Sequence, residues 1–441
     1  MSSEKDKKNN DDNNGKDGNN GKDDIKKGTL TLLDLILMGL ANIVGAGIFV
    51  ILGKSIKYGG NKSLLALLVV AIISLVMGFC YIEIYSRFKS SITEYLAIQN
   101  TMGEFTGQTI LYLIYFFAIF SGVTIVISIS KYITSLDYFS SLKKSRLFET
   151  CFSIFLLCFM SFINYMGIET SKIVANTISV LMLIILTTII ALSARFIDVS
   201  KITQAPAVPW DSFVLSSVLS LFLFNGYDFL VKISDESVNP ENNKIALVAS
   251  ISITTLIYIL IIISSLCVLN YKTSSTTYNI ITKLYDTLTN KNISLIVYII
   301  GAFIMFNTAF LSVLSATKFM QALGRDNKIS FPDFWKQTNE YNSPSNAIYA
   351  SLFICILLAI LNNEVLMAIF SNVSCVLILI LLSLSLLMLR WKERNDTTAQ
   401  NTHNYIYGNI NNIPIIVILN MIVLFYILYI MIKNKFWIGK V

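Results

Sequence analysis

Hydrophobic residues in this chain seldom alternate with polar ones; they gather in long, nearly uninterrupted runs. Crossing a hydrocarbon layer of ~30 Å at 1.5 Å per residue takes about 20 apolar residues in a helix. Eleven runs come near that length: Leu30 to Ile51, Ser63 to Ser86, Thr109 to Tyr132, Leu147 to Met166, Lys172 to Phe196, Phe213 to Lys232, Ile245 to Leu269, Leu295 to Met320, Asn346 to Leu361, Val365 to Leu389 and Ile413 to Ile432. The ninth is short and parted from the tenth only by Asn362, Asn363 and Glu364, which predicts a tight hairpin. Continuous runs rather than alternating ten-residue segments exclude a transmembrane barrel. The pattern predicts an all-α, multi-pass integral membrane protein with about eleven transmembrane helices and the lipid bilayer as its main partner.

Composition sharpens this picture. Of 441 residues 54% are hydrophobic and 14% charged, and the mean hydropathy is +0.65, far from the balance of a soluble domain. Fourteen of the charges lie in residues 1–28, together with an Asn- and Gly-rich run, so that segment is expected to be a disordered polar tail with no signal-peptide pattern. A lone histidine, His403, and six cysteines inside apolar runs, none in a CxxC, leave little material for a metal centre, a disulfide framework or imidazole catalysis. No cofactor is expected. The net charge of +7 is scattered, which gives nucleic-acid binding no support. With the tail cytoplasmic, inner segments hold 19 Lys or Arg and outer ones 15. Local clusters, Lys318, Arg325, Lys328 and Lys336 after the eighth run and Arg390, Lys392 and Arg394 after the tenth, favour that orientation.

Helix-breaking sequence at mid-membrane is informative, because lipid offers nothing to hydrogen-bond a freed backbone group. The first run carries Gly45-Ala46-Gly47 about halfway along, and the sixth carries Asn225-Gly226-Tyr227. Either could serve close helix packing through small residues. Their pairing at the first and sixth positions, which correspond in two five-helix halves, points instead to interrupted helices around a transport site.

The same residues carry a family resemblance. Thr31-Leu32-Leu33-Asp34-Leu35 followed by Asn42 to Val50 resembles the first-helix signature of the amino acid-polyamine-organocation (APC) transporters. Tyr81-Ile82-Glu83 with Ser86-Arg87-Phe88, Tyr95 and Gly103-Glu104 is similar to their second-to-third helix region, and Asn164, Gly167-Ile168 and Ser171 to the entry of the fifth. Phe222, Asn225 to Asp228, Asp235-Glu236 and Asn239-Pro240 resemble the sixth helix and its exit, and Gly324-Arg325-Asp326 the exit of the eighth. The resemblance covers roughly residues 29–390 and fades beyond Arg390. It implies a LeuT-type fold, a five-plus-five inverted repeat with broken helices 1 and 6, followed by a connector and an additional helix in 391–441. It further implies that a substrate carboxylate meets Gly45, Ala46 and Gly47, that its amino group meets carbonyls near Ile43, Phe222, Phe224 and Asn225, with Gly226 alongside, and that Phe222 covers the substrate. At Met182, where many proton-coupled relatives carry a lysine, it implies that this route for a proton is missing.

Several charged residues remain. Glu83 and Arg87 stand one helical turn apart with the acid first, the favourable order for an ion pair. Together with Asp235, Glu236 and Arg325 they are read as a gate or structural network at the tail end. Asp228 is an intramembrane carboxylate, either a contact for a cationic substrate or a member of a structural network. Ser312 and Ser315 could ligate sodium or bond their own helix backbone. No phosphate-binding GxxxxGK[ST] loop is present, so transport would draw on gradients or exchange, with a proton or sodium as possible coupling ion. The functional expectation is a secondary amino acid transporter, not an enzyme, with medium-to-large neutral amino acids favoured because Phe222, Phe224 and Tyr227 make an apolar wall. The alternatives are a carrier of cationic amino acids or polyamines and a non-transporting amino acid sensor.

Overall fold

The computed structural model describes residues 28–433 apart from 135–144, 199, 202–204, 277–279, 290–293, 396–403, 407–408 and 411. The tail, except Gly28, and His403 therefore lie outside the described residues. The first span is made of Leu32–Val50 (α1) and Leu52–Gly59 (α2), and the second of Ser63–Phe88 (α3). Thr93–Met102 (α4) connects to Glu104–Thr134 (α5), Arg146–Tyr165 (α6) and Ile168–Ser193 (α7). Trp210–Leu223 (α8) and Phe229–Lys232 (α9) form the sixth run, and Glu241–Val268 (α10) the seventh. Asn270–Thr276 (α11) and Ile280–Thr289 (α12) precede Ser294–Arg325 (α13), and Pro332–Lys336 (α14) leads into Ser345–Leu361 (α15), Glu364–Lys392 (α16) and Ile415–Lys433 (α17). Among the described residues the only strands form a two-residue antiparallel hairpin, Asn409–Ile410 (β1) with Ile413–Pro414 (β2). Nine stretches among the described residues are long and apolar enough to cross a membrane; α8 and α15 are apolar but shorter, at 14 and 17 residues.

Two differences from the sequence pattern matter for the site. The first span does not stop at Ile51: α2 carries it on to Gly59, because Ser55 of the otherwise polar-looking Gly53-Lys54-Ser55 stretch is buried against α8. Its hydroxyl lies 2.9 Å from that of Ser220, and the Ser216 hydroxyl donates to the Ser55 carbonyl at 2.8 Å. The four short helices α4, α11, α12 and α14 left no span-length apolar run. Of these, α4 brings a carboxylate into the core.

Local chemistry sets the start of α1. The Thr31 hydroxyl caps it by accepting from the Asp34 N–H at 3.3 Å, while the Asp34 carboxylate accepts from the Thr31 N–H at 2.9 Å, a capping box. Asp34 also accepts from the Asn176 amide at 2.7 Å, which ties α1 to α7. From there α1 is enclosed by α7, α10 and α13, α5 packs between α13 and α16, and α8 lies on α2 and α3. The last helix, α17, packs on the outside of α16.

Candidate functional site

Both suspected breaks are present, and they face each other. Within α1 the backbone at Gly45 leaves the helical region (φ 0°, ψ −123°). A Cβ there would stand 1.5 Å from Thr308 Oγ1 of α13, so only glycine lets the two helices approach this closely. Thr308 in turn donates to the Ala41 carbonyl at 3.1 Å. In the sixth run, α8 ends at Leu223 and helix resumes at Phe229, with residues 224–228 in turns. Gly226 adopts φ +113°, and its carbonyl accepts from the Asn42 amide of α1 at 2.8 Å. A third element joins them. The buried Tyr258 hydroxyl of α10 lies 2.7 Å from the Leu223 carbonyl, 3.2 Å from that of Ile43 and 3.4 Å from that of Val44. One hydroxyl thus touches carbonyls freed by both breaks. Its removal in Tyr258→Phe takes away the single O–H that these buried carbonyls share, at about 1 to 3 kcal/mol. Thermal unfolding in detergent is expected to show that loss while membrane insertion stays normal.

A cavity of about 180 Å³ opens between the breaks and helices α5, α13 and α16. Of the anticipated contact residues, Ile43, Gly47, Phe222, Asn225, Gly226 and Asp228 line it. Gly45 backs onto Thr308 instead, and the side chain of Ala46 lies outside the described residues. The Phe224 ring does not join the apolar wall as expected: it is fully buried and packs edge-on against Tyr258, with ring centres 5.5 Å apart, rather than facing the cavity. Tyr227 likewise turns to Tyr81, at 5.8 Å. Phe117, Phe222, Phe229 and Met305 give the lining its apolar surface, and hydroxyls lie among them: Ser121, Thr124 and Ser128 on the same face of α5 as Phe117, Ser312 and Ser315 on α13, and Ser371 on α16. Thr124, Ser128 and Ser312 donate to carbonyls four residues back in their own helices, at 2.7, 2.9 and 2.9 Å.

Behind the cavity lies a charged cluster that the sequence did not assemble. Asp228 is bound by Lys232, one turn on, and Lys232 is 2% exposed. On its other side Lys232 faces Glu94 of α4 at 3.9 Å, with its ammonium 5.7 Å above the Phe117 ring. Glu94 is equally buried and accepts a 2.5 Å hydrogen bond from Tyr81 of α3. The one legible signal was Lys232 at i+4 from Asp228 on the same apolar run; Glu94 carried none.

The charged residues anticipated at the tail end all form ion pairs, in part with partners that were not anticipated. Arg325 pairs with Asp235, which also accepts from the Ser91 hydroxyl at 2.9 Å, and Lys318 pairs with Glu236. The segment Thr29–Leu30, just ahead of α1, is laid across this corner: the N–H groups of Thr29 and Leu30 both donate to the Glu236 carbonyl at 2.9 Å, and Val238 N–H donates to the Leu30 carbonyl at 3.0 Å. Glu83, however, is not primarily the partner of Arg87. Its carboxylate is gripped by Arg390 of α16 through two 2.5 Å hydrogen bonds, both side chains being fully buried. Two N–H groups of the 404–406 connector donate to the same carboxylate, at 3.1 and 3.3 Å. Arg87 stands 3.4 Å from Glu83 and makes its shorter contact, 2.8 Å, with Glu393. Helical spacing offered Arg87 as the partner; only packing brings in a cation 307 positions away.

A family model described as "Amino acid permease" matches residues 30–438. The chain belongs to the amino acid permease family. The match runs past Arg390, so the connector and α17 belong to the family's pattern, contrary to the fading resemblance read from sequence. Among individual proteins, the chain is 23% identical to the "Cationic amino acid transporter 9, chloroplastic" of Arabidopsis thaliana over 52% of its own length and 43% of the relative's. It is 23% identical to the "Branched-chain amino acid permease BcaP" of Bacillus subtilis, over 53% of each chain. It is 24% identical to the "Methylthioribose transporter" of the same bacterium, over 52% of this chain and 53% of the other. The chain spans about half the length of the curated relatives it matches.

Family membership and the nine span-length helices found among the described residues make this an integral, multi-pass membrane protein. The family is one of permeases, not of enzymes.

Proposed function

We propose that this chain is a secondary transporter that carries amino acids by alternating access on a LeuT-type scaffold. Residues 29–390 would form the two five-helix halves, 391–441 an added connector and helix, and residues 1–28 a polar cytoplasmic tail dispensable for transport. The observation that carries the reading is the meeting of two interrupted helices at one cavity, with Asn42 bonded to Gly226 across the gap. A free amino acid presents a carboxylate and an ammonium about one bond length either side of its α-carbon. Backbone N–H groups beyond the α1 break suit the first, and carbonyls at Ile43 and around Asn225 suit the second. The substrate would thus be held by the main chain, with Gly45, Ala46 and Gly47 leaving room for its approach.

The preferred substrate is a medium-to-large neutral amino acid. Phe117, Phe222, Phe229 and Met305 offer the side chain an apolar surface, and Asp228, the carboxylate in the cavity wall, already has Lys232 as its counter-ion. A substrate with a second positive charge would have to displace that lysine or enter without a partner, which costs several kcal/mol. The Glu236–Lys318 and Asp235–Arg325 pairs, with the Leu30 strap, would close the tail end while the cavity is loaded.

The test is uptake into proteoliposomes over a panel of all amino acids and common polyamines, with imposed proton and sodium gradients. Neutral amino acids are expected to be taken up, and arginine, lysine and polyamines to compete at least about tenfold more weakly. Preferred uptake of the cationic compounds would replace the substrate assignment. Saturable binding with no flux under any gradient would mean a sensor and overturn transport.

A further inference from the structure

Glu94 takes no part in lining the cavity, yet a carboxylate is costly to bury. Its two oxygens are treated unequally: Oε1 accepts from Tyr81, whereas Oε2 is buried and, among the described residues, meets no hydrogen-bond donor. The cation that faces it, Lys232, is hydrogen-bonded to Asp228 and stands 3.9 Å from Oε2. The site therefore holds two carboxyl groups and one ammonium, and ionising all three leaves one negative charge uncompensated, although the Glu94 and Lys232 side chains are each only 2% exposed. The other titratable groups acting on it only add to that excess when ionised: the Tyr81 phenol from α3, the Tyr227 phenol beside Asp228 and the Cys375 thiol from α16. From α5 comes the uncharged Phe117 ring beneath Lys232. Burial pushes the Glu94 carboxyl above its ordinary range, with the Lys232 charge pulling the other way.

We propose that Glu94 binds the coupling proton of the transport cycle and that Lys232 passes its charge state on to Asp228 in the cavity wall. The inference rests on the transport reading above. With the proton on Glu94 the three groups sum to zero, and Lys232 belongs to Asp228, as in the structure. When Glu94 releases that proton to solution, its carboxylate competes for the same ammonium, so Asp228 is partly uncovered toward the amino group of a bound substrate. One proton leaves, one negative charge stays, and no other bond changes. The position of Glu94 also suits a link to the closed end, since Ser91, three residues before it, bonds Asp235 of the Arg325 pair.

The experiment uses the full chain in proteoliposomes, with a radiolabelled mixture of all amino acids as probe. An inward gradient of one pH unit is expected to raise accumulation in the wild type by up to about tenfold, the limit for one proton per substrate. In Glu94→Gln, which keeps the shape but cannot release a proton, exchange of labelled for unlabelled mixture should remain detectable while the gradient effect drops below about twofold. A variant that keeps the wild-type response overturns the assignment to Glu94. A wild type that exchanges amino acids but ignores the gradient overturns proton coupling and leaves transport standing, whereas a wild type with neither exchange nor uptake overturns both. Should the variant fail to fold, infrared spectroscopy of the purified wild type decides: a protonated buried carboxyl band at neutral pH, lost on raising the pH, is the expected result, and its absence while the protein stays folded refutes the proposal.

Discussion

Gly226→Ala is expected to reduce uptake at least tenfold while the protein still inserts into the membrane. At φ +113° an L-residue is strained by about 1 to 3 kcal/mol whatever space surrounds it. There is also little space: a Cβ would lie 2.8 Å from the Asn42 amide nitrogen and 2.9 Å from the Asn42 carbonyl oxygen, a backbone atom that cannot swing away. The two breaks would be pushed apart at the point where they touch. Gly45→Ala should behave alike for a purely steric reason, since Thr308 Oγ1, Cβ and Cγ2 would stand 1.5, 2.6 and 2.8 Å from the new methyl group. Overpacking on that scale costs about 1 to 3 kcal/mol and displaces α1 from α13. Gly47 is more permissive, with its tightest neighbour a flexible Leu223 side chain at 3.1 Å. Here alanine should be tolerated better, and leucine should block the cavity that Gly47 lines. Proteoliposome uptake and membrane yield of the four variants measure this. Near-normal uptake by Gly226→Ala and Gly45→Ala would mean that the glycines serve helix packing and that the substrate sits elsewhere.

Arg390→Ala should be the most destabilising single change at the tail end. It leaves the fully buried Glu83 carboxylate with Arg87 at 3.4 Å and two backbone N–H groups as its remaining partners, and breaking a buried pair by removing one partner costs about 3 to 5 kcal/mol. The connector bonded to the same carboxylate through Tyr405 and Ile406 would loosen with it. Arg87→Ala should cost only about 1 to 2 kcal/mol, because its partner Glu393 keeps 23% of its side-chain surface in solvent and Glu83 keeps Arg390. Thermal unfolding in detergent compares the two. A larger loss for Arg87→Ala would restore the i, i+4 pair as the main partner of Glu83.

Those two predictions mark where sequence stopped. The run lengths of apolar residues were enough to show a multi-pass all-helical membrane protein, though nine rather than eleven span-length stretches stand among the described residues, because in lipid each span must satisfy its own backbone and so leaves its length in the sequence. The breaks were legible for the same reason: Gly45-Ala46-Gly47 and Asn225-Gly226-Tyr227 interrupt runs that otherwise have every cause to stay helical. Pairings within one turn were legible as well, as with Thr31 and Asp34 or Asp228 and Lys232, since helical geometry alone brings them together. Contacts across the bundle were not. Which way Phe224 turns depends on a tyrosine in α10; which cation holds Glu83 depends on α16 lying beside α3; and Glu94 enters the core only because α4 folds back between α5 and α16. Each is a choice among partners far apart in the chain, settled by packing and by the cost of leaving a buried charge or carbonyl unmet, and such a cost has no counterpart in the local pattern of residues.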